Sequence, residues 1–240
     1  MPTDVRCQVE SGHAHPVVRL VGSLGRDGAP AVRGALLTCL VEQPEGLVVD
    51  VSQLHVTDDD ALWVFAAVAA EVAEWPATRL VFCEPPPRHV AAWRRAGVPV
   101  VPTRPDALAR LGQPSGGQPV TADLEPVVGA ARQARDLLTT ACTRWRLSED
   151  LTDAACIVVT ELVNNVVAHA RTPMTVSATR RDGGLVVAVR DRSHVEPRWQ
   201  GKVAPTSQGG RGLLLIDKVA RRWGATPLPD GKVVWAVLDG

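Results

Sequence analysis

The sequence predicts an α/β protein built as two units, and three observations carry that reading. Over the first 112 residues, apolar runs of strand length alternate with repeats of helix length. That alternation argues for a sheet that is at least partly parallel. The stretch Gly112-Gln113-Pro114-Ser115-Gly116-Gly117-Gln118-Pro119 has the composition of a linker. Beyond it, two helical repeats are followed by hairpin signals. The expected organisation is therefore a domain over 1–112, a linker over 113–120 and a second domain over 121–240. At 240 residues and 45% hydrophobic, the chain can form two cores.

In the first domain, Val17 to Gly22 is an apolar strand bounded by Pro16 and Gly25. Pro30 can occupy the first helical position, with Ala31 to Leu40 as the apolar repeat. Leu47 to Val51 is a short apolar run of the buried, parallel-strand kind. Thr57-Asp58-Asp59-Asp60 precedes a helix from Ala61 to Trp75, and Arg79 to Phe82 is another buried strand. After Pro85-Pro86-Pro87, a short helix from Arg88 to Ala96 stops at Gly97. Val98 to Val101 is a last strand, placed at an edge because Pro99 cannot donate to a ladder. A terminal helix is expected from Asp106 to Leu111.

In the second domain, the helix Val127 to Trp145 places Val128, Ala131, Leu138, Ala141 and Trp145 on its core side. Ser148, followed by Glu149 and Asp150, is a good N-cap with acids in the first turn. The helix it opens runs to Thr172-Pro173, with apolar residues at Ala154, Val158, Leu162 and Val166 and at Val159, Val163, Val167 and Ala170. Met174 to Arg180 and Leu185 to Arg190 are strands joined through Asp182-Gly183. Asp191 ends the second of them. The polar segment from Arg192 to Gly210 reads as a functional lid or a disordered loop. It closes on Gly209-Gly210-Arg211-Gly212-Leu213, which leads into a helix from Leu213 to Trp223. Ala225 to Leu228 and Val233 to Leu238 form a final hairpin.

Bulk composition excludes several classes. The formal net charge is zero, and nothing in it suggests a nucleic-acid footprint or a polybasic membrane patch. The five cysteines (Cys7, Cys39, Cys83, Cys142, Cys156) include no CxxC pair and are odd in number, which fits reduced cytosolic thiols better than zinc or a disulfide framework. Met1 to Gly12 is polar and unlike a signal peptide. No run is expected to reach the ~20 apolar residues of a membrane span. A cytoplasmic location is expected.

Glu161, Asn165 and His169 lie four apart on an otherwise apolar helix. Each step of four drifts by ~40°, so the three share one stripe. Taken singly, each is most simply a capped or solvated polar position. Together they suit a phosphate and metal site, with the carboxylate as a base and the amide oxygen holding Mg²⁺. The glycines at 209–212 present N–H groups and a helix N-terminus, which suit phosphate, although a plain flexible turn is the commoner use of such a sequence.

The first domain resembles a STAS domain, the fold of anti-sigma-factor antagonists. The resemblance rests on Val18-Arg19-Leu20-Val21-Gly22-Ser23-Leu24, Leu47-Val48-Val49-Asp50-Val51-Ser52 and Val56-Thr57-Asp58-Asp59-Asp60-Ala61-Leu62. In that family the last stretch carries a serine phosphorylated by a partner kinase, and by alignment Asp60 stands at that position. The acceptor is thus lost, and a fixed charge replaces it, weaker than the ~1.5 to 2 charges of a phosphate. The plainer use of Asp58-Asp59-Asp60 is helix capping.

The second domain looks like the GHKL ATPase superfamily, in particular its bacterial anti-sigma-factor serine/threonine kinase branch. Glu161-Leu162-Val163-Asn164-Asn165-Val166-Val167-Ala168-His169-Ala170 matches the N box, and Gly210-Arg211-Gly212-Leu213 matches the second glycine box. The ending Arg222-Trp223-Gly224 and Gly231-Lys232-Val233-Val234-Trp235 is also similar. The resemblance implies a two-layer α/β sandwich that binds ATP and Mg²⁺. Asn165 would hold the metal, and Glu161 would be the base for the acceptor hydroxyl. Asp191 would accept the adenine amino group. Gly210, Arg211 and Gly212 would line the phosphates, Leu213 would belong to the ATP-binding set, and His169 would flank the pocket. The family's first glycine box often continues Asp-x-Gly-x-Gly, whereas here Asp191-Arg192-Ser193-His194-Val195 has no glycine.

The implied protein is a cytoplasmic regulator of transcription that phosphorylates Ser or Thr on a STAS-domain anti-sigma-factor antagonist, and its partners include that antagonist, a sigma factor, or both. The alternative is a catalytically silent ATP-binding module whose own STAS domain is a built-in pseudo-substrate. A sensor histidine kinase fits poorly, because no dimerising helix pair carries an acceptor His; His13 and His15 lie in a polar segment. No direct contact with nucleic acid or membrane is expected, and homodimerisation is left open.

Overall fold

The computed structural model describes residues 5–10, 15–41, 46–74, 79–113, 119–181, 183–195 and 211–240. The chain divides into two compact units, Met1–Ser115 and Gly116–Gly240.

The first unit holds a five-stranded sheet, β1 (Arg6–Glu10), β2 (Val17–Leu24), β3 (Gly46–Val56), β4 (Arg79–Cys83) and β5 (Val100–Val101), in that spatial order. β1 runs antiparallel to β2; the other neighbours pair in parallel. Helices α1 (Ala29–Val41), α2 (Trp63–Glu74), α3 (Val90–Arg95) and α4 (Arg104–Leu111) supply the connections and the final cover. This is the partly parallel α/β arrangement expected of a STAS-like unit. α4 lies on Val17, Val48, Val81 and Cys83 through Ala107 and Leu111. The alternate residues Val18, Leu47, Val49 and Phe82 are buried as well, as strands covered on both faces require. Phe65 sits 4.7 Å from Trp93 and 5.4 Å from Phe82, ring centroid to centroid, which locks α2 and α3 against β4.

Two features of this unit differ from expectation. β1 forms from a segment that reads as merely polar; it is held by pairing Arg6–Glu10 against Val17–Val21. His15, although it lies in a polar segment, is only 1% exposed, with Nε2 2.8 Å from the Gly112 carbonyl oxygen.

The second unit has an all-antiparallel sheet in the order β6 (Val120–Leu124), β7 (Met174–Arg181), β8 (Gly184–Asp191), β10 (Gly231–Asp239), β9 (Arg222–Leu228). Against it pack α5 (Ala130–Trp145), α6 (Glu149–Asn165) and α7 (Arg211–Val219). The core between the layers includes Leu138, Val159, Val163, Val176, Val187, Val189, Ile216 and Val234. Ser148 Oγ accepts the Leu151 N–H at 3.3 Å and caps α6 as expected.

Several boundaries move. Residues 120–124, of which only Val120 is expected in the linker and the rest have no expected element, are a strand, because their backbone completes the sheet against Met174–Ala178. The α7 repeat stops at Val219, and Arg222–Gly224 belong to β9, opposite Trp235–Val237. By length and hydropathy, Glu149–Ala170 would suffice to cross a membrane. Its Leu151, Ala155, Val158, Val159, Leu162 and Val163 instead lie in the unit's own core, which makes it a core helix.

Candidate functional site

α6 does not end as an α-helix. Val166–Ala170 form a π turn, closed by the Arg171 N–H on the Val166 carbonyl at 2.7 Å, and Arg171 leaves in the left-handed region at φ 54°. Such a turn adds a residue to the i→i+4 ladder. The spacing that puts Glu161 and Asn165 in one line therefore stops at Asn165. Glu161 and Asn165 are half-buried, whereas Asn164, Ala168 and His169 are exposed. Neighbouring Thr160 is held on both sides: its hydroxyl donates to the Cys156 carbonyl at 2.7 Å and accepts from Arg135 Nη1 at 3.1 Å. Among the described residues, the side chains of Glu161, Asn165 and His169 have no hydrogen-bond partner. Two half-buried polar groups left without protein partners suit a ligand that supplies them.

Asp191 closes β8. The strand alternates, so Leu185, Val187 and Val189 face the helix layer, and Asp191 continues that face. Its register partners are Met174 on β7 and Lys232 on β10. The Thr172 hydroxyl, just past the π turn, accepts the Arg192 N–H at 3.1 Å. The exit of α6 and the exit of β8 are thereby fastened together, which brings the Asn165 end of the helix and Asp191 to one corner of the unit.

Asp191 is 2% exposed and not free on both oxygens. Its Oδ1 accepts the Ser193 N–H at 2.7 Å and Lys232 Nζ at 2.9 Å. Lys232 Nζ also donates to the Ser193 carbonyl at 3.2 Å. Oδ2 has no partner among the described residues. Outside this pair, Asp230 in the β9–β10 turn receives Arg190 Nη2 on both oxygens, at 2.9 and 2.8 Å, and Arg192 Nη1 at 3.5 Å. The Arg190 guanidinium holds the Asp230 carboxyl below the usual carboxylate range. Gly231, at φ 152°, lets the turn pass close by: a Cβ there would lie 2.0 Å from the Asp191 carbonyl oxygen.

Gly210 lies outside the described residues. Arg211, Gly212 and Leu213 form the first turn of α7, and α7 packs on α6. No cluster of three or more His, Cys, Asp or Glu side chains able to hold a metal occurs among the described residues. A Mg²⁺ at Asn165 would then take most of its ligands from phosphate and water, as this ion commonly does. The corner thus offers a half-buried carboxylate, a half-buried amide and one open oxygen of a buried carboxylate. A base bearing an exocyclic amino group fits the open acceptor of Asp191.

In the first unit, Asp58 caps the turn leading into α2, with Oδ1 accepting the Asp60 N–H at 3.0 Å. The acids are paired as well. Arg26 Nε lies 2.8 Å from Asp58 and its Nη2 bonds Asp60, while Arg95 Nη2 lies 2.8 Å from Asp59. Asp60 remains largely exposed.

The sequence singles out the stripe and Asp191, and it gives Lys232 and Thr172 no part in the site. Only the β8–β10 register and the tie between two loops reveal them.

Residues 124–238 match the family model described as the histidine kinase-like ATPase domain. No curated protein matches the chain. Solved structures similar to it include an anti-sigma factor antagonist from Mycobacterium paratuberculosis, at 24% identity and a TM-score of 0.38, covering 46% of this chain and 97% of that one. Another is the RsbU and RsbW domains of a Mycobacterium tuberculosis protein, at 17% identity and a TM-score of 0.40, covering 51% of this chain and 32% of that one.

Proposed function

We propose, for a chain whose C-terminal unit is a histidine kinase-like ATPase domain, that it is an ATP-binding regulator of the anti-sigma-factor kinase type. It acts in the cytoplasm on Ser or Thr of a STAS-domain partner and takes part in sigma-factor partner switching. What supports this reading is that Glu161 and Asn165 at the end of α6 and Asp191 at the end of β8 each keep an acceptor with no partner among the described residues.

Bound ATP with Mg²⁺ would supply the transferable phosphoryl group and the charge neutralisation that such transfer needs. The chain does the rest. Asp191 Oδ2 accepts an N–H from the base. The Asn165 amide oxygen would hold the metal. Arg211 and Gly212 offer backbone N–H groups at the start of α7 to the phosphates. Glu161 orients the acceptor hydroxyl and takes its proton.

Asp60 favours a second reading. It occupies the acceptor position of the STAS-like unit and is ion-paired to Arg26, so that unit has no hydroxyl to phosphorylate there. In this reading ATP only sets partner affinity, and the first unit docks as a pseudo-substrate. Glu161→Ala separates the two: on the kinase reading, phosphate transfer to a STAS partner vanishes while ATP binding persists. A wild-type protein that binds ATP yet transfers phosphate to no STAS partner leaves the silent module standing.

A further inference from the structure

The ion pair between Lys232 and Asp191 has no part in the chemistry set out above, yet it is the most enclosed pair of opposite charges in the second unit among the described residues, with side chains 10% and 2% exposed. Burying a lone carboxylate is costly, and the ammonium removes that cost. The arrangement does more than neutralise. An ammonium has three donors. One goes to Asp191 Oδ1 at 2.9 Å and one to the Ser193 carbonyl at 3.2 Å. Oδ1 also takes the Ser193 N–H at 2.7 Å. One carboxylate oxygen is thus saturated while the other has no partner among the described residues.

The surroundings hold this geometry. Gly231 permits a backbone approach that any Cβ would block. Asp230, gripped by Arg190 and Arg192, anchors the turn that carries Lys232. Among the described residues, the charged groups bonded to Asp191 or beside it in the chain are Lys232 on β10, Arg190 and Arg192, with Asp230 held by both arginines; Glu161 is the charged group that α6 brings to the same corner.

We propose that Lys232 is the positioning residue for base recognition. It fixes Asp191 so that Oδ2 alone faces the nucleotide. This inference rests on the nucleotide-binding reading above. An acceptor-only group takes the exocyclic amino group of adenine and refuses the carbonyl oxygen that guanine presents at the same place. Through the Ser193 carbonyl, the same ammonium ties base recognition to the first residues after β8.

The test is calorimetry of the full chain with Mg²⁺–ATP and Mg²⁺–GTP, for wild type, K232M, D191N and the double variant. K232M is expected to weaken ATP binding by roughly 10- to 100-fold, the range for a charged hydrogen bond, and to weaken GTP binding much less. The double variant should bind ATP no more weakly than D191N alone. A folded K232M with unchanged ATP affinity and an unchanged ATP-to-GTP ratio, or with tighter ATP binding, overturns the proposal. A wild type that binds no nucleotide overturns the underlying reading, and the role of Lys232 with it. Should K232M not fold, the wild type still decides, because the chain has only three lysines, Lys202, Lys218 and Lys232. With ¹³C-labelled lysine, assigned by K202R and K218R, the Lys232 Cε resonance should move with ATP and stay with tripolyphosphate. No movement at saturating ATP, or equal movement with both ligands, overturns the assignment.

Discussion

Arg104 Nη2 lies 2.5 Å from Asp50 Oδ2, joining the first turn of α4 to the middle of β3 around a carboxylate that is 1% exposed. Arg19 Nε approaches the same oxygen at 3.2 Å, and Glu10 takes both arginines from β1, at 3.0 and 2.8 Å. Burial pushes the Asp50 carboxyl up, but hydrogen bonds from Ser52, Arg104 and Arg19 outweigh it and hold the group below its ordinary value. A carboxylate depressed in the folded state stabilises fully above its unfolded value, about 3.9, and that contribution is lost as pH falls through the folded value. D50N is therefore expected to cost about 3 kcal/mol at neutral pH, as when one member of a buried pair is removed. The gap from wild type should narrow below about pH 4. Urea unfolding between pH 3 and 7 checks this, and a gap independent of pH would reduce Asp50 to a packing role.

Two adjacent asparagines should behave in opposite ways. Asn164 is exposed and Asn165 half-buried on the side that carries Glu161. N165A is expected to abolish Mg²⁺–ATP binding in calorimetry and N164A to leave it intact, both with near-native melting temperatures. Unchanged affinity in N165A would remove that residue from the site.

Gly231→Ala tests the frame that carries Lys232. The residue sits at φ 152°, and an added Cβ would meet the Asp191 carbonyl at 2.0 Å. A strained backbone costs on the order of 1–3 kcal/mol even without a clash, so at least that loss of stability is expected, with weaker ATP binding beside it. Thermal unfolding and calorimetry read the two effects, and a silent substitution would mean that the turn can move away freely.

Asp60→Ser should create a phosphate acceptor if the two units can meet in a kinase-active chain. Incubation with Mg²⁺–ATP followed by mass spectrometry is expected to find phosphate on the introduced serine, and to find none once Glu161 is also replaced by Ala. An unmodified serine would argue against docking within the chain or against transfer itself. Since the Arg26 pairs are exposed, the substitution should leave the melting temperature unchanged.

Elements whose own side chains decide their burial were legible in the sequence. α6 was found from its apolar repeat and its Ser148 cap, and β3 from an unbroken apolar run. Elements decided by a partner were not. Arg6–Glu10 and Val120–Leu124 are short and mostly polar, and become strands only because β2 and β7 offer them a ladder. The π turn depends on one backbone bond, Arg171 to Val166, which no residue pattern announces. The site divides likewise. Glu161 and Asn165 share a helix and showed themselves by spacing. Lys232 and Asp191 are 41 positions apart, and only strand register makes them neighbours.

β6 bears on how the C-terminal unit can be isolated. Val120–Leu124 shields five residues of β7, Met174–Ala178, along one margin of the sheet. A fragment begun at residue 126 would omit that strand and leave β7 as a bare edge, inviting self-association. A fragment begun at Gly116 would retain it. For crystallography or partner screening, the latest usable start therefore lies ahead of Val120, although the recognisable ATPase sequence begins only at residue 124.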